Sequence, residues 1–407
     1  MYTSSLQDLS QYDRMTGGSK ALNLGELILA GLPVPPGFLM LTTAYERFVA
    51  ANHLSASIER LVQTVSSSQP ATAETAAHQI ATLFEQATLP SEVEAAVLDA
   101  YRQLAAPAVA VRSSATAEDL PGASFAGLYG TFLSLNSEAS VCSALKACWA
   151  SLWSARALIY RVRHQIPKPD VRMAVVVQQM VEARASGVLF TCNPLTNAQD
   201  EMVINVVVGL GEALGSSQVT PDAMTLDKST GQVKRLDVAE KTLMTVPATS
   251  HVARHPVPAE AQTVSVLSAQ EITRLFELGT AVERHFGAPQ DIEWAIADSQ
   301  VFLLQARPVT TGAKQPPVTV RQEELPVPGD DTWELHEKPE VHEYDLWTRT
   351  NIGENFLDPI TPLSATLWPT FFVLGRFPSS EERAPGASSL PVLGERFYGR
   401  LYVNEGA

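Results

Sequence analysis

Apolar and polar positions along the chain follow both helical and strand periods. The residues after Lys20 are apolar at helical spacing and predict a helix that stops at Gly31. Short apolar runs at 38–41, 109–111 and 131–135 predict buried strands, and the run at 173–181, with three consecutive valines, predicts another. This mixture of periods predicts an α/β (α+β) fold.

The later part of the chain predicts more strands than helices. A hairpin is expected over residues 222–238, and a capping box at Ser268 and Glu271 begins a helix that ends near Gly287. Further strands are predicted near residues 186–191, 201–208, 291–297 and 301–309.

Three candidate site residues, Glu293, Gln305 and Arg307, lie in the last predicted strand pair. Gln305 and Arg307 share one strand face, because alternate residues do. A three-residue loop (298–300) would place Glu293 directly across from Gln305, whereas a two-residue loop would place it on the other face. Carboxylate and amide oxygens suit Mg²⁺, which usually arrives with nucleotide phosphates. The alternative is a buried ion pair between Glu293 and Arg307.

Two earlier segments contain residues that suit phosphate. The loop Gly17–Lys20 leads straight into a helix, where free N–H groups and a lysine favour an anion, although a surface turn is the alternative. Arg112 follows the apolar strand at 109–111, and its fork also suits phosphate. The alternative for Arg112 is a structural ion pair with Glu118 or Asp119.

The glycines at 209–215 follow a predicted strand and resemble a dinucleotide-binding loop. Their spacing is GxGxxxG, and Pro221 leaves too little chain for a crossover helix. We therefore expect a loop that shapes the mouth of another site.

Composition narrows the class of protein. The 407 residues predict two or three domains, and a net charge of −15 argues against a nucleic-acid binder. Three cysteines without a CxxC pair predict free thiols. Since no signal peptide and no run of about 18 apolar residues is visible, we expect a cytoplasmic protein that does not enter a membrane.

Five segments, in this order, resemble the N-terminal nucleotide-binding region of the dikinase family: GGSKALNLGELILAGLPVPPGF, VRSSATAEDLPGASFAGLYGTFLSL, VVVQQMVEARASGVLFTCNP, GLGEALGSSQVTPD and DIEWAIADSQVFLLQARP. That family includes phosphoenolpyruvate synthase, pyruvate, phosphate dikinase and rifampin phosphotransferase. The resemblance implies an ATP-grasp domain over residues 1–310, with a small lobe at about 1–170 and a second lobe at about 171–310. ATP and Mg²⁺ would bind between the lobes.

The resemblance also implies roles for individual residues. Lys20, Arg112 and Arg307 match phosphate ligands, which would catalyse by positioning and charge neutralisation. Glu293 and Gln305 match magnesium ligands. The remaining positions match a loop over the phosphates and the adenine end of a strand in the second lobe, and they are Gly127, Thr131 and Phe132 for the loop and Gln178 for the strand.

Two departures from the family pattern lie in these loops. Ser19 separates the two glycines from Lys20, where relatives usually have GGK. After Gly127 this chain has Leu128-Tyr129-Gly130, where many relatives have Gln-Gln or similar.

The end of the chain predicts a Pro-rich linker at 311–332 and the start of a substrate-binding domain at 333–407. The segments at 347–369 and 397–404 are similar to rifampin phosphotransferase-like members. In such enzymes ATP gives its β-phosphoryl group to a histidine on a swivelling domain, within a TSHAA-like loop, and the histidine then phosphorylates pyruvate or a small-molecule hydroxyl such as that of a rifamycin.

The 407 residues contain no TSHAA-like loop. We therefore expect a histidine-bearing domain elsewhere in the same protein or on a separate partner. Two alternatives are an ATP-dependent condensing enzyme of secondary metabolism that uses the same domain, and a nucleotide-binding module without turnover.

Overall fold

The computed structural model describes a large part of the chain and divides it into two units, Met1–Pro317 and Val318–Ala407. The described residues are 1–66, 69–116, 119–120, 123–124, 129–163, 171–215, 219–248, 251–309, 347–348, 394–397 and 400–404.

Helices dominate the first hundred residues of the first unit and recur between its strands. The α-helices are α1 (Arg14–Leu29), α2 (Thr42–Ala51), α3 (Leu54–Gln63), α4 (Pro70–Gln86), α5 (Ser91–Leu104), α6 (Glu138–Ser151), α7 (Ala155–Arg163), α8 (Glu212–Gly215) and α9 (Ala269–Phe286). Short 3₁₀ helices cover Leu6–Gln11 and Ala259–Ala261.

The capping box predicted at Ser268 and Glu271 is confirmed at the start of α9. The main-chain N–H of Glu271 donates to Ser268 Oγ at 3.3 Å, and the N–H of Ser268 donates to Glu271 Oε2 at 2.9 Å. The helix ends at Gly287, whose φ of 68° lies in the left-handed region that favours glycine.

The strands of the first unit form two larger sheets and two short hairpins. They are β1 (Thr3–Ser5), β2 (Gly37–Met40), β3 (Val109–Ala115), β4 (Asp119–Leu120), β5 (Ala123–Ser124), β6 (Thr131–Leu135), β7 (Met173–Gln179), β8 (Ala185–Phe190), β9 (Glu201–Val208), β10 (Asp222–Asp227), β11 (Val233–Asp237), β12 (Leu243–Ala248), β13 (His251–Pro256), β14 (Gln290–Ala297) and β15 (Gln300–Pro308).

The first sheet has the order β1-β2-β7-β3-β6, and its neighbouring strands are antiparallel. The predicted lobe boundary at 170 and 171 would place β7, which contains Gln178, in the second lobe. In the structure β7 is the central strand of the first sheet, because it pairs with β2 on one side and β3 on the other.

The second sheet has the order β11-β10-β9-β8-β14-β15 and is also antiparallel throughout. The predicted hairpin at 222–238 is its β10–β11 pair. Two separate hairpins, β4–β5 and β12–β13, complete the strands of this unit.

Two apolar cores lie on opposite faces of the first sheet. Val175 and Val177 of β7 face a core shared with helices α2 to α6. Ala174 and Val176 face a core shared with α1, α9 and the second sheet. Because β7 is buried on both faces, all of its positions from Met173 to Val177 are apolar, which explains the valine run.

The described part of the second unit is a small antiparallel sheet with the order β16 (Trp347–Thr348), β18 (Arg400–Asn404) and β17 (Gly394–Phe397). The predicted linker at 311–332 lies outside the described residues, and most of the predicted domain at 333–407 does too. These boundaries stay predictions.

Across the described ranges, no helix combines the length and apolarity that crossing a membrane requires. The three cysteines are free, as predicted. The mixed α/β class is likewise confirmed, whereas a cytoplasmic location stays a prediction.

Candidate functional site

The glycine loop before Lys20 packs directly on the strand that follows it by about ninety residues. Gly18 interrupts α1 with a φ of 72° and a ψ of 161°. A Cβ at Gly18 would lie 2.2 Å from the carbonyl oxygen of Ser114, so only glycine fits there. Ser114 Oγ donates to the Gly17 carbonyl at 2.9 Å and accepts from the N–H of Ala21 at 3.1 Å.

This contact brings two predicted phosphate-type segments together. Ser114 lies two residues after Arg112 on β3, and alternate strand residues share a face. The helical segment that begins after Gly18 carries Lys20. The two positive side chains therefore stand on neighbouring elements of one unit.

Arg112 reaches from the first sheet to the second. Its Nη2 donates to the carboxylate of Glu293 and to Gln305 Oε1, the latter at 3.2 Å, and its Nη1 donates to the main-chain carbonyl of Leu304 at 2.6 Å. Only 11% of the Arg112 side chain is exposed. The guanidinium thus binds three oxygens of the β14–β15 pair. Glu118, one of the two partners in the structural alternative, lies outside the described residues.

Glu293 lies directly opposite Gln305, the arrangement that the sequence analysis linked to a three-residue loop. The turn contains two residues, Asp298 and Ser299, whose φ values of 48° and 64° are both left-handed. Of the two loop lengths weighed, the shorter one is observed, but Glu293 does not lie on the other face. A bulge restores the register, because Trp294 pairs with Leu303 and leaves Leu304 without a partner.

The bulge provides one of the hydrogen-bond acceptors of Arg112. Leu304 is the unpaired residue, and its carbonyl is the one that accepts from Arg112 Nη1. Bulges commonly redirect backbone groups beside functional sites. The sequence offers no signal for this, since a bulge residue can be any apolar residue.

Arg307 pairs with Asp291, its opposite neighbour on β14. Its Nε and Nη2 donate to Asp291 Oδ2 at 2.8 and 2.7 Å. The alternative of an ion pair between Arg307 and Glu293 is therefore wrong, because Glu293 is two pairs further along the hairpin and bonds Arg112. Asp291 is a site residue that the sequence analysis missed, although its spacing of two from Glu293 places both carboxylates on one strand face.

The charges around Glu293 set its ionisation. Burial raises the pKa of the Glu293 carboxyl, but the positive charges of Arg112, Lys20 and Arg307 outweigh burial and hold that pKa below its ordinary value. For Asp291, burial raises the pKa above its ordinary value despite Arg307. The site therefore keeps Glu293 as an ionised oxygen donor, which suits a cation.

The other predicted ligands flank this centre. Thr131 lies opposite Arg112, and Phe132 lies opposite Val111, both on β6. Gln178 is buried on β7, and its Nε2 donates to the Pro35 carbonyl at 3.0 Å. Gly127 lies outside the described residues.

The Gly209 loop is held by the β12–β13 hairpin. Gly209 has a φ of 80° and forms a parallel bridge with Thr245, and the N–H of Leu210 donates to the Thr245 carbonyl at 2.8 Å. The strands on either side, β9 and β10, are antiparallel neighbours, so the dinucleotide-binding unit is excluded. Leu210 instead packs in a small apolar cluster with Ala183, against which Leu304 is also packed.

The sequence matches the family model described as "Pyruvate phosphate dikinase, AMP/ATP-binding domain" over residues 15–325. The chain belongs to this family. The match spans the elements from α1 to β15, including every described residue of the site.

Relatives of the family agree with this assignment. The chain is 36% identical over 373 residues to a probable phosphoenolpyruvate synthase of Methanothermobacter thermautotrophicus, covering 88% of this chain and 54% of that protein. It is 35% identical over 370 residues to rifampicin phosphotransferase of Streptomyces sviceus, covering 90% and 40% respectively. The chain thus spans about half the length, or less, of these curated relatives.

Among solved structures, D-alanine–D-alanine ligase of Helicobacter pylori shows a TM-score of 0.26 at 12% identity, covering 55% of this chain and 48% of that one. A likeness of that size carries no argument about this chain. The fold assignment rests on the family match and on the two observed sheets.

Proposed function

We propose that this chain binds ATP with Mg²⁺ at the Arg112 centre and serves as the nucleotide-binding part of a dikinase-type phosphotransferase. The observation that carries the proposal is the position of Arg112, a phosphate-type side chain whose Nη2 lies against the oxygens of both Glu293 and Gln305. Phosphate ligands and metal ligands must lie side by side to hold a metal–triphosphate complex.

The residues divide into two groups by their chemistry. Lys20, Arg112 and Arg307 would contact phosphate oxygens, because guanidinium and ammonium groups donate charge-assisted hydrogen bonds to phosphate. Glu293 and Gln305 would hold Mg²⁺, whose preferred ligands are oxygens. The metal would neutralise charge on the phosphates as the β-phosphoryl group is transferred.

Four further residues are assigned by proposal to the edges of the site. Gln178 would lie at the adenine end, and its bond to the Pro35 carbonyl supports this by fixing the side chain in a buried position. Gly127, Thr131 and Phe132 would belong to the loop over the phosphates. The pairing of Thr131 and Phe132 with β3 next to Arg112 supports this placement.

The reaction would be the one that the family resemblance implies. The β-phosphoryl group of ATP would move to a histidine on another domain, in the same protein or in a partner, with AMP and phosphate as the overall products. The histidine would then phosphorylate a small molecule. Relatives named phosphoenolpyruvate synthase and rifampicin phosphotransferase are similar to this chain at nearly equal identity, so the proposal covers either pyruvate or a small-molecule hydroxyl.

Thermal unfolding tests the nucleotide step. Saturating Mg-ATP should stabilise the chain by about 2–4 kcal/mol, and by more than GTP or NAD at equal concentration. The absence of any shift at millimolar Mg-ATP would contradict the proposal.

A second experiment tests the transfer step. The chain alone should hydrolyse ATP negligibly, because misplacing a nucleophile by about 1 Å already costs about 10²-fold in rate. A histidine-bearing domain of a relative, added in trans, should restore AMP formation and retain phosphate on its histidine. Rapid AMP or ADP production by the chain alone would instead indicate a self-sufficient ATPase.

A further inference from the structure

Both proposed metal ligands contact the same atom of the protein. Arg112 Nη2 donates to Glu293 and also to Gln305 Oε1. We propose that Arg112 holds the place of the metal ion in the nucleotide-free chain, and that the triphosphate must draw Arg112 away before Glu293 and Gln305 can bind Mg²⁺. This inference rests on the proposed function, since it takes Glu293 and Gln305 as the metal ligands.

The first sheet and the β14–β15 bulge together fix the position of the Arg112 guanidinium. Arg112 stands on β3, an interior strand of the first sheet, with 11% of its side chain exposed. Its second arm is fixed by the Leu304 carbonyl at 2.6 Å, which the bulge presents. An exposed ion pair is held weakly, but this guanidinium is held by oxygens on both arms while largely out of water.

A metal ion bound by both side chains would compete with the guanidinium for one position. Mg²⁺ binds oxygen at about 2.0–2.1 Å, so an ion that bridges Glu293 Oε2 and Gln305 Oε1 would lie where Arg112 Nη2 now lies. It would also stand within a few ångströms of a fixed positive charge. A metal ion that bridges these two oxygens and the present position of Arg112 Nη2 therefore exclude each other.

The charges of the surroundings favour the nucleotide over a free metal ion. Among the described residues whose charges act on Glu293, Arg112, Lys20 and Arg307 are positive. Among the same described residues, Glu293 contacts Arg112, and Asp291 is paired with Arg307. A free divalent cation is thus repelled by the guanidinium that it must displace, whereas a triphosphate is attracted by that guanidinium.

Together these points order the binding events. The triphosphate takes the hydrogen bonds of Arg112, and Glu293 and Gln305 then become available to the metal ion that accompanies it. No covalent bond changes in this exchange. Arg112 would therefore serve twice, first as a substitute cation for the metal ligands and then as a phosphate ligand.

Mn²⁺ is a suitable probe, because it takes oxygen ligands and its free concentration is measured by electron paramagnetic resonance. In the unmodified chain at pH 7.5, Mn²⁺ alone should show no site saturable at about 1 mM, a concentration at which protein metal sites of ordinary affinity are filled. ATP in the presence of EDTA should bind, and Mn·ATP should bind more tightly than either component.

Variants then test the role of Arg112. Arg112→Met keeps the length of the side chain but removes its charge, and it should raise the affinity for Mn²⁺ alone by about 10- to 100-fold. Arg112→Lys is the matched control that retains a positive charge, and its gain should be smaller. The gain should disappear in Arg112→Met/Glu293→Gln, which removes the carboxylate.

Two outcomes would overturn the inference while leaving the proposed function intact. One is that Mn²⁺ alone binds the unmodified chain as tightly as it binds Arg112→Met, in each case dependent on Glu293. The other is that a folded Arg112→Met gains no affinity for Mn²⁺ although Mn·ATP binding to the unmodified chain depends on Glu293. If Mn·ATP does not bind the unmodified chain at all, the proposed function itself fails. Should Arg112→Met not fold, the measurements on the unmodified chain decide.

Discussion

Gly18 and Ser114 approach so closely that a β-carbon at residue 18 would lie 2.2 Å from the Ser114 carbonyl oxygen. Gly18→Ala should therefore displace the loop from β3, and with it Lys20. We expect the free energy of unfolding to fall by about 2–4 kcal/mol, from the left-handed φ and the steric clash together. Urea denaturation measures this loss, and Mg-ATP affinity should fall with it.

Gly31 provides the matched control for this substitution. Its φ is 71°, close to that of Gly18, but a Cβ there would meet nothing within 4 Å. Gly31→Ala should cost only about 1–2 kcal/mol, from the backbone conformation alone. Equal losses in the two variants would show that the contact with Ser114 adds nothing.

Arg307→Met should weaken the binding of triphosphate more than that of adenosine. Each charge-assisted bond to phosphate contributes about 1.5–3 kcal/mol, so ATP affinity should fall at least about tenfold. Adenosine affinity should be unchanged, because adenosine lacks the phosphates. Isothermal titration calorimetry with both ligands separates the two effects.

The control for Arg307 is an arginine of similar exposure in an ion pair elsewhere. Arg47 pairs with Glu92 between α2 and α5, at 2.6 Å. Arg47→Met should leave both affinities unchanged. If Arg307→Met reduces ATP and adenosine binding equally, Arg307 acts through the fold and not through phosphate.

The stability contributed by ionised Glu293 should be lost in acid. Its pKa is held below the ordinary 4.5, with burial opposing and Arg112, Lys20 and Arg307 lowering it. Such a group stabilises the fold above its unfolded-state pKa and ceases to do so as the pH falls through its folded-state pKa. The difference in unfolding free energy between the unmodified chain and Glu293→Gln should therefore shrink from pH 6 to below pH 4.

Asp291 should show the opposite sign. Burial raises its pKa above the ordinary 3.8, so its ionisation on raising the pH disfavours the folded state. Asp291→Asn should consequently gain stability relative to the unmodified chain as the pH rises through that range. Parallel pH profiles for the Glu293 and Asp291 variants would contradict the two assigned directions.

Gln178→Met should lower both stability and ATP affinity. The substitution leaves the buried Pro35 carbonyl without its donor, at a cost of about 1–3 kcal/mol. Gln179→Met is the control, since the side chain of Gln179 points to the other face of β7. If Gln178→Met loses stability but binds ATP normally, Gln178 only supports the strand.

Helix ends and hairpins could be predicted from the sequence, because they depend on residues that are close together in the chain. The capping box at Ser268 and the glycine that ends α9 were both identified from neighbouring residues, and the β10–β11 hairpin followed from alternation and a turn. The valine run of β7 was read correctly as a buried strand. The sequence analysis named no neighbours for this strand, because pairing with β2 and β3 depends on residues far away in the chain.

The partners in the site were harder to predict than its members. Arg112 and Glu293 were both singled out, but their mutual contact is formed between two sheets. Arg307 was assigned to Glu293 as an alternative, and the register instead gives it Asp291. A main-chain carbonyl such as that of Leu304 carries no residue-type signal at all.

The bulge at Leu304 allows Glu293 and Gln305 to face each other although the hairpin turn contains only two residues. A two-residue turn with a bulge and a three-residue turn without one use the same number of residues between Glu293 and Gln305. Related proteins could therefore exchange one hairpin for the other without a gap in their alignment, and the pair would stay in register. Only the bulged form leaves a main-chain carbonyl unpaired to accept a hydrogen bond from Arg112. Chains of equal length could therefore differ in how strongly Arg112 is bound beside the proposed metal ligands.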